Sequence, residues 1–267
     1  MKVVLNCNPH KDTGNTVSQT VSKLLKKYKI KFDCIFDSSA ITKSRDDGDC
    51  FLITLGGDGT ILNSVENCLK FDMPILGINI GNLGFLTEVE LHQVDTAIFQ
   101  LSQGKFWFES RNLVQLDLQD RQFMALNEVV IFRNTSHLIR VELSISDNVI
   151  DDYRGDGLIV STPTGSTAYS LSAGGSVVSP DSPVFALTPI NAHSLRSRPL
   201  IVGDNNIINL QLKSDATADI FVDGKECAKI DSQSKLTLFK SKTQIRFVRL
   251  EGGDNFYKKL AMKLRKP

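Results

Sequence analysis

Strand-like and helix-like patterns alternate through the first hundred residues. Four segments have the apolar content of strands, and the third is almost continuously apolar, as in a parallel strand covered on both faces: Lys2–Cys7, Phe32–Phe36, Cys50–Leu55 and Pro74–Asn79. Apolar residues at helical spacing predict three helices, which carry the stripes Val17, Val21, Leu24, Leu25 and Tyr28 (within Thr13–Tyr28), then Ile61, Leu62, Val65, Cys68 and Leu69, then Leu91, Val94, Ile98 and Leu101, ending at Gly104. The alternation predicts a doubly wound parallel α/β domain.

The pattern changes from about residue 105. Short alternating or apolar runs, separated by turn residues, predict a mostly antiparallel β domain: Leu113–Leu118, Asn127–Phe132, Ile139–Ile145, Leu158–Ser161, Ile207–Leu212, Ala218–Val222, Lys235–Phe239 and Gln244–Val248. A helix of small polar residues is expected near Thr164–Ala173, and Phe256–Leu264 is expected to be a helix that packs on the first domain. We therefore predict an α/β domain at 1–104 plus about 251–267, and a β-rich domain at 105–250.

Composition and charge narrow the class of protein. The 267 residues are 41% hydrophobic and 23% charged with a net charge of +1, which is typical of a globular protein and gives no overall attraction to nucleic acid or anionic membrane. Nowhere do about 18 apolar residues occur together, as a membrane span would need. The five cysteines are odd in number and widely spaced. They favour free thiols in a reducing cytoplasm.

A glycine-rich loop, Gly56-Gly57-Asp58-Gly59-Thr60, follows the buried third strand directly and opens a helix. In an open α/β sheet this is the carboxyl end of a strand, where ligands collect. Glycine allows positive φ and close approach to phosphate. Asp58 would repel a phosphate, so it suits a base for a hydroxyl or a ligand for Mg²⁺. The alternative is a tight turn in which Asp58 caps the helix.

The other common catalytic loops are absent from the sequence. It contains no Gly-x-x-x-x-Gly-Lys-Ser/Thr and no Gly-x-Gly-x-x-Gly, the motifs of P-loop enzymes and classical dinucleotide folds. It also contains no Gly-x-Ser-x-Gly and no His-Glu-x-x-His, which excludes a nucleophile elbow and a zincin site.

Two further clusters have open interpretations. The segment 77–88 runs from a buried strand into a loop with Gly81 and Gly84, which is expected to face the same sheet edge as the first loop. It is either a pocket wall for an aromatic ring or a plain connection with Phe85 and Leu86 as core anchors. Asn127-Glu128 is either a solvated strand edge or an amide–carboxylate pair suited to a ribose diol or an adenine edge.

The segment 152–170 is the richest in chemistry. A strand runs into the hydroxyl-rich turn Thr-Pro-Thr-Gly-Ser-Thr at 162–167, followed by a short helix and Gly174-Gly175. Small hydroxyl residues among glycines make a poor core and a good hydrogen-bonding surface. Asp156 could add an acceptor and Tyr169 a stacking ring.

Taken together, these motifs resemble the NAD kinase family. The resemblance lies in Gly-Gly-Asp-Gly-Thr at 56–60, Gly-x-x-Gly-Phe-Leu-Thr at 81–87, Asn-Glu at 127–128, and the run from Gly155 to Tyr169; it continues at 187–190 and 198–200, in the family's order and over nearly the whole chain. The first motif is shared with diacylglycerol and sphingosine kinases and, loosely, phosphofructokinases. The run from Gly155 to Tyr169 is far more specific.

The resemblance implies transfer of the terminal phosphate of ATP, or of polyphosphate, to the 2′-hydroxyl of the adenosine ribose of NAD, giving NADP. It implies that Asp58 is the proton acceptor, that Mg²⁺ (or another divalent cation) accompanies ATP, and that the chain forms a homo-dimer or homo-tetramer. No residue is assigned to a resident metal. The phosphate loop is Gly56, Gly57 and Thr60, and the substrate-binding residues are Gly59, Phe85, Asn127, Glu128, Arg154, Asp156, Thr164, Ser166, Thr167, Ala168, Tyr169, Ser172 and Asn191.

This chain departs from the family pattern at three positions. Asn82 stands where the family usually has a basic residue. Asn191 stands where alanine or phenylalanine is common, and Lys225 where glutamine is frequent. Asn191 and Lys225 bear on the nicotinamide side of the site. Two alternatives remain at this point: a lipid kinase that shares the glycine loop, and a non-catalytic dinucleotide sensor of the same fold. A sensor would have no use for Asp58.

Overall fold

The computed structural model describes residues 1–41, 49–194, 196–213, 217–253 and 255–265. The chain divides into two compact units, Met1–Ser110 with Ile245–Pro267, and Arg111–Gln244. We call them unit 1 and unit 2. Residues 254, 266 and 267 of the predicted C-terminal segment of the first domain lie outside the described residues. Among the residues that are described, no helix has the length and apolar character needed to cross a membrane.

Unit 1 is built on a parallel sheet. Its strands are β1 Lys2–Cys7, β2 Lys31–Ile35, β3 Cys50–Gly56, β4 Ile75–Asn79 and β5 Val89–Glu90. The order is β4-β3-β1-β2, with every neighbouring pair parallel, and β5 pairs with β4. The four predicted strands are confirmed, and with them the parallel α/β class of the N-terminal half. Parallel neighbours need crossover connections, usually helical. Here α1 (Thr16–Lys27) connects β1 to β2, and α2 (Asp58–Leu62) and α3 (Val65–Phe71) lie between β3 and β4.

The described residues form six α-helices: α1 Thr16–Lys27, α2 Asp58–Leu62, α3 Val65–Phe71, α4 Val94–Ser102, α5 Tyr169–Ser172 and α6 Phe256–Leu264. Short 3₁₀ turns lie at Ser38–Ala40, Leu91–Gln93 and Gly165–Thr167. Helix α6 belongs to unit 1, where its Phe256 ring lies 5.8 Å from that of Phe85. This confirms the expected C-terminal helix on the first domain.

Two helix predictions are wrong in detail. The apolar stripe after the glycine loop lies on two helices, α2 and α3, instead of one. The hydroxyl of Ser64 donates to the carbonyl of Thr60 at 2.9 Å, and the Ser64 N–H turns to the carbonyl of Ile61. A side-chain hydroxyl that takes the i−4 carbonyl competes with the helix. The helix expected near Thr164–Ala173 is also divided, because Ala168 at φ −102° and ψ −130° separates a 3₁₀ turn from α5.

Unit 2 is built from antiparallel strands. The remaining strands are β6 Phe106–Leu118, β7 Arg121–Ala125, β8 Glu128–Arg133, β9 Ile139–Ile145, β10 Asn148–Gly155, β11 Gly157–Ser161, β12 Val184–Ile190, β13 Leu200–Gly203, β14 Ile208–Leu212, β15 Ala218–Val222, β16 Lys225–Ile230 and β17 Lys235–Leu250. One sheet has the order β10-β9-β14-β17 and the other β13-β12-β11-β8-β15-β16. The chain passes between the two units within β6 and again within β17.

The expectation of separate strands at Lys235–Phe239 and Gln244–Val248 is wrong, because β17 is continuous through both. The polar residues between them, 240–243, contain no glycine, proline, asparagine or aspartate, and the hydroxyls of Ser241 and Thr243 favour a turn only weakly. The predicted antiparallel β class of this half is confirmed.

The core of unit 2 lies between its two sheets and determines which side chains face outward. On β8, Val129 and Ile131 belong to this core. Because side chains alternate along a strand, Glu128, Val130 and Phe132 lie on the opposite face. There Val130 packs in a small second cluster with Ile159 and Ile190. We call the sheet β13-β12-β11-β8-β15-β16 the second sheet. Its outer face borders a pocket lined in part by Glu128, Val130 and Phe132.

Candidate active site

The glycine loop joins β3 to α2 in unit 1. Gly56 is the last residue of β3, and Gly57 precedes α2 with φ −131° and ψ −166°. None of the glycines at 56, 57 and 59 has a positive φ. Space requires glycine at position 56, where a β-carbon would overlap the side chain of Thr60. A β-carbon on Gly57 would lie 2.9 Å from the Lys11 Nζ.

Asp58 connects the two glycine-containing loops of unit 1. Its Oδ2 accepts the N–H of Phe85 at 2.8 Å and its Oδ1 accepts the N–H of Leu86 at 3.0 Å. A β-carbon on Gly84 would collide with the Asp58 carboxylate, so the second loop can approach this closely only with glycine there. The helix-capping alternative is wrong, because Gly57 is the N-cap residue and makes no side-chain cap. The Asp58 carboxylate is held by the second loop instead.

The second loop is itself held by α6. The ring of Phe85 is half-buried against Phe256, and the Lys263 Nζ lies 4.3 Å from its centroid. The Lys259 Nζ, which is buried, donates to the carbonyl of Thr87. Leu86 is a core residue. The core-anchor interpretation therefore holds for Leu86, and the pocket wall for an aromatic ring stays a prediction.

In unit 2, Asn127 and Glu128 are only 8% and 6% exposed, so the solvated-edge alternative is wrong. Asp223 fixes them. Its carboxylate accepts the N–H groups of Leu126 at 2.8 Å, Asn127 at 2.7 Å and Glu128 at 3.1 Å. Asp223 and Gly224, with φ of 47° and 80°, form the two-residue turn between β15 and β16, as Asp-Gly pairs commonly do. That hairpin signal could have revealed Asp223 in the sequence.

Glu128 carries an unusual carboxyl group. Burial, with the nearby Asp223 carboxylate, raises the pKa of Glu128 to about 8. Its Oε2 is buried and has no hydrogen-bond partner among the described residues. It borders a cavity of about 340 Å³ on the outer face of the second sheet, lined by Glu128, Val130, Phe132, Tyr169, Phe221 and Gly224. This apolar, aromatic pocket with one polar end suits a planar ring that donates a hydrogen bond.

Asp156 is held in a charged form by two neighbours. The Asn191 Nδ2 donates to its Oδ2 at 2.8 Å, and Arg133 forms an ion pair with its Oδ1. The hydrogen bond from Asn191, together with the Arg133 guanidinium, keeps the pKa of Asp156 below its ordinary value despite partial desolvation. The sequence pattern did not single out Arg133, which is the last residue of β8 and belongs to no motif.

The hydroxyl-rich segment separates into a buried and an exposed part. Ser166 is fully buried, donates to the Pro163 carbonyl at 2.7 Å and accepts the Val178 N–H at 2.9 Å. Thr164 is buried and its hydroxyl accepts from the buried Arg111 guanidinium at 3.3 Å. These placements differ from the expectation of direct substrate contact and make the two residues supports of the turn.

The exposed part of the segment is left to meet a ligand. Thr167 and Ala168 are half-buried, Ser172 is exposed, and Tyr169 is 40% exposed at the wall of the pocket. Arg154 is exposed on β10. Of the predicted site residues of unit 2, Glu128 and Tyr169 line one pocket and Asn191 is hydrogen-bonded to Asp156, whereas Arg154 lies on β10 of the other sheet.

The side chains near the glycine loop determine how Mg²⁺ could bind there. No group of three or more His, Cys, Asp or Glu side chains forms a metal-binding cluster in the described part of the chain. Each oxygen of Asp58 accepts one N–H and retains a further lone pair. Mg²⁺ usually keeps several waters and takes one or two carboxylates plus substrate phosphates. The loop therefore fits Mg²⁺ that arrives bound to nucleotide phosphates.

A glycine loop with a fixed carboxylate at a parallel sheet edge, and a pocket with a buried carboxyl in a β unit, are typical of a nucleotide-binding enzyme. The sequence profile of the ATP-NAD kinase N-terminal domain matches residues 3–106, and that of the ATP-NAD kinase C-terminal domain matches residues 126–250. Among relatives, the NAD kinase of Caldicellulosiruptor bescii is 35% identical over 99% of this chain and 100% of its own length. That of Caldicellulosiruptor saccharolyticus is 40% identical over 80% of this chain and 82% of its own length.

Solved structures agree with these matches. An NAD kinase from Archaeoglobus fulgidus in complex with ATP is 26% identical, with a TM-score of 0.81 over 99% of each chain. Yeast NADH kinase complexed with NADH has a TM-score of 0.83 at 24% identity, over 99% of this chain and 87% of that one, which is a likeness of fold. The chain belongs to the NAD kinase family.

Proposed function

We propose that this chain transfers the terminal phosphate of ATP to the 2′-hydroxyl of the adenosine ribose of NAD, giving NADP and ADP. The observation that carries the proposal is the Asp58 carboxylate, fixed by two backbone N–H groups beside the glycine loop. A base held in this way needs no reorientation when a hydroxyl arrives. Its relatives named NAD kinase support the choice of NAD as the acceptor.

In the proposed reaction, Asp58 takes the proton of the 2′-hydroxyl. The ribose oxygen forms a bond to the terminal phosphorus as the bond from that phosphorus to the bridging oxygen breaks, and ADP leaves with the electron pair. Such a transfer relies mostly on positioning and charge stabilisation. Mg²⁺ bound to the ATP phosphates would neutralise part of their charge. Gly56, Gly57 and Thr60 would let the phosphates approach the backbone closely.

Unit 2 supplies the binding residues for NAD. The ionised Asp156 would accept hydrogen bonds from the substrate, and Tyr169 would stack on one of its rings. The unpaired Glu128 Oε2 would meet a donor on the nucleotide, which removes the cost of a buried polar atom without a partner. Asn127, with its backbone held by Asp223, presents its amide in a defined direction.

The test is to incubate the protein with ATP, Mg²⁺ and NAD and to measure NADP with an NADP-specific dehydrogenase. The expected result is NADP that depends on all three components. If diacylglycerol and ATP labelled in its terminal phosphate give labelled phosphatidic acid, and no NADP forms from NAD, the result would point to the lipid kinase alternative. NAD binding without NADP formation would point to the dinucleotide sensor.

Three finer expectations belong to the proposal. ATP as donor is supported by the ATP complex of the A. fulgidus relative, while use of polyphosphate and of NADH needs the same assay with each substrate exchanged. The homo-dimer or homo-tetramer stays a prediction, to be measured by sedimentation equilibrium. The cytoplasmic location expected from the odd number and wide spacing of the cysteines also stays a prediction.

A further inference from the structure

A turn that follows β1 lies against the glycine loop. The Asn8 N–H donates to the carbonyl of Leu55 at 3.1 Å, and the Asn8 Nδ2 donates to the hydroxyl of Thr60 at 3.2 Å. Leu55 immediately precedes the loop and Thr60 ends it. The N–H groups of Lys11 and Asp12 close the turn on the carbonyl of Asn8, at 3.1 and 2.9 Å. The backbone at Lys11 is therefore tethered to both ends of the glycine loop.

Neighbouring side chains in this turn have different surroundings. Asp12 is buried, and its carboxylate accepts the N–H groups of Val17 and Ser18 at 2.9 Å each, at the start of α1. Burial opposes its ionisation, but the hydrogen bonds from Ser18 and Val17 lower the pKa of Asp12. Asp12 is thus committed to α1. Lys11 is exposed, and its ammonium extends over Gly57, where a β-carbon would lie 2.9 Å from the Lys11 Nζ.

The Lys11 ammonium has no ion pair or hydrogen bond with any described residue. The ammonium of an exposed lysine is strongly hydrated and sits on a flexible stem, so holding it in one position does not by itself stabilise the fold. Here, however, the turn delivers the positive charge to the surface of a loop where the backbone can be closely approached. A lysine ammonium is a common ligand of phosphate, to which it binds as a point charge with three donors.

From this geometry we propose that Lys11 binds the phosphate chain of the donor on the glycine loop. The inference rests on the proposed function, in that the donor is ATP. It assigns a ligand contact to a residue outside all the motifs of the chain. It also gives a reason for glycine at position 57, because a side chain there would displace the Lys11 ammonium from the loop.

The experiment compares Lys11→Ala, Lys11→Arg and a matched control, Lys23→Ala. Lys23 is an exposed lysine of α1 in the same unit, so the control removes the same charge from a helix surface. We expect Lys11→Ala to raise the KM for ATP by roughly 10–100-fold, the usual consequence of losing a hydrogen bond to a charged group. The KM for NAD should stay within about twofold, and Lys11→Arg should recover a large part of the loss.

A second measurement does not depend on turnover. Binding of inorganic tripolyphosphate in the absence of NAD is measured by calorimetry for the wild type and the three variants, at low and high salt. The expected result is weaker binding by Lys11→Ala than by Lys23→Ala, with the difference reduced at high salt because screening weakens charge pairs. Thermal unfolding of each variant establishes that the folded state is retained.

The outcomes separate this inference from the proposed function. If the wild type makes no NADP but binds tripolyphosphate through Lys11, the proposed function is wrong and the Lys11 contact stands. If the wild type makes NADP and Lys11→Ala matches Lys23→Ala in KM for ATP, the Lys11 contact is refuted. A rise in the KM for NAD equal to that for ATP would also refute it, since a phosphate contact of the donor predicts a selective effect.

Discussion

The two units treat their acidic groups in opposite ways. In unit 1, Asp58 is partly exposed, and each of its oxygens accepts one backbone N–H, so each oxygen keeps a lone pair for a ligand. In unit 2, Asp156 is paired with a guanidinium, and Glu128 is buried with a raised pKa. A group that must take a proton needs an open lone pair. Groups that must recognise a nucleotide gain selectivity by being fixed, or by having a polar atom that only the right ligand satisfies.

The difference predicts that damage to unit 1 lowers turnover, whereas damage to unit 2 lowers affinity for NAD or changes stability. Four substitutions test this division.

The largest effect is expected for Asp58→Asn. The amide keeps the size of the side chain but cannot take the hydroxyl proton, so kcat should fall by roughly 10²–10⁴-fold, the usual contribution of a positioned base. The KM values for ATP and NAD should change little. Steady-state kinetics of NADP formation measure both. Full activity in this variant would remove Asp58 from the chemistry.

Gly84→Ala should have the next largest effect. Its β-carbon would collide with the Asp58 carboxylate, and a displacement of a catalytic group by about 1 Å can cost on the order of 10²-fold in rate. We expect a lower kcat with nearly unchanged KM for NAD. An unchanged kcat, in a variant whose thermal unfolding matches the wild type, would mean that the Asp58 position does not limit turnover.

Asp156→Ala should weaken NAD binding selectively. The substitution removes an ionised acceptor, and loss of a hydrogen bond to a charged group corresponds to roughly 10–100-fold in affinity. The KM for NAD should rise while that for ATP does not. Asp152→Ala is the matched control, because Asp152 is also paired with an arginine, Arg140. Equal effects on both substrates would remove Asp156 from the NAD site.

The smallest effect is expected from Glu128→Gln, on stability. The pKa of Glu128 is about 8 in the folded chain, against an ordinary value of 4.5. Between these pH values the folded chain keeps a proton that the unfolded chain releases, so raising the pH lowers the free energy of unfolding. Glutamine does not titrate. The free energy of unfolding of the variant should therefore increase relative to that of the wild type by on the order of 1–3 kcal/mol as the pH rises from about 5 to about 8.5.

Urea unfolding at several pH values measures the free energy of unfolding of both proteins. The prediction concerns the difference between variant and wild type at each pH. A difference independent of pH would contradict the raised pKa of Glu128.

Much of the fold could be predicted because it depends on local pattern. Apolar runs such as Cys50–Leu55 and stripes such as that of α1 encode their own periodicity. Predictions were wrong where a side chain competed with the backbone, as Ser64 does after α2, or where a polar run was taken for a turn, as within β17. The missed hairpin at Asp223-Gly224 had a local signal, whereas Arg133 had none.

The sequence by itself determined the class of the two halves, the position of the glycine loop and the family, because strand periodicity, glycine spacing and motif order are written along the chain. Only the tertiary structure decided what each chemical group does there. It attached the Asp58 carboxylate to Phe85 and Leu86, buried Glu128 beside Asp223, withdrew Ser166 into the turn and brought Lys11 over Gly57. These contacts join residues far apart in the chain, and their electrostatic environment exists only once the chain has folded.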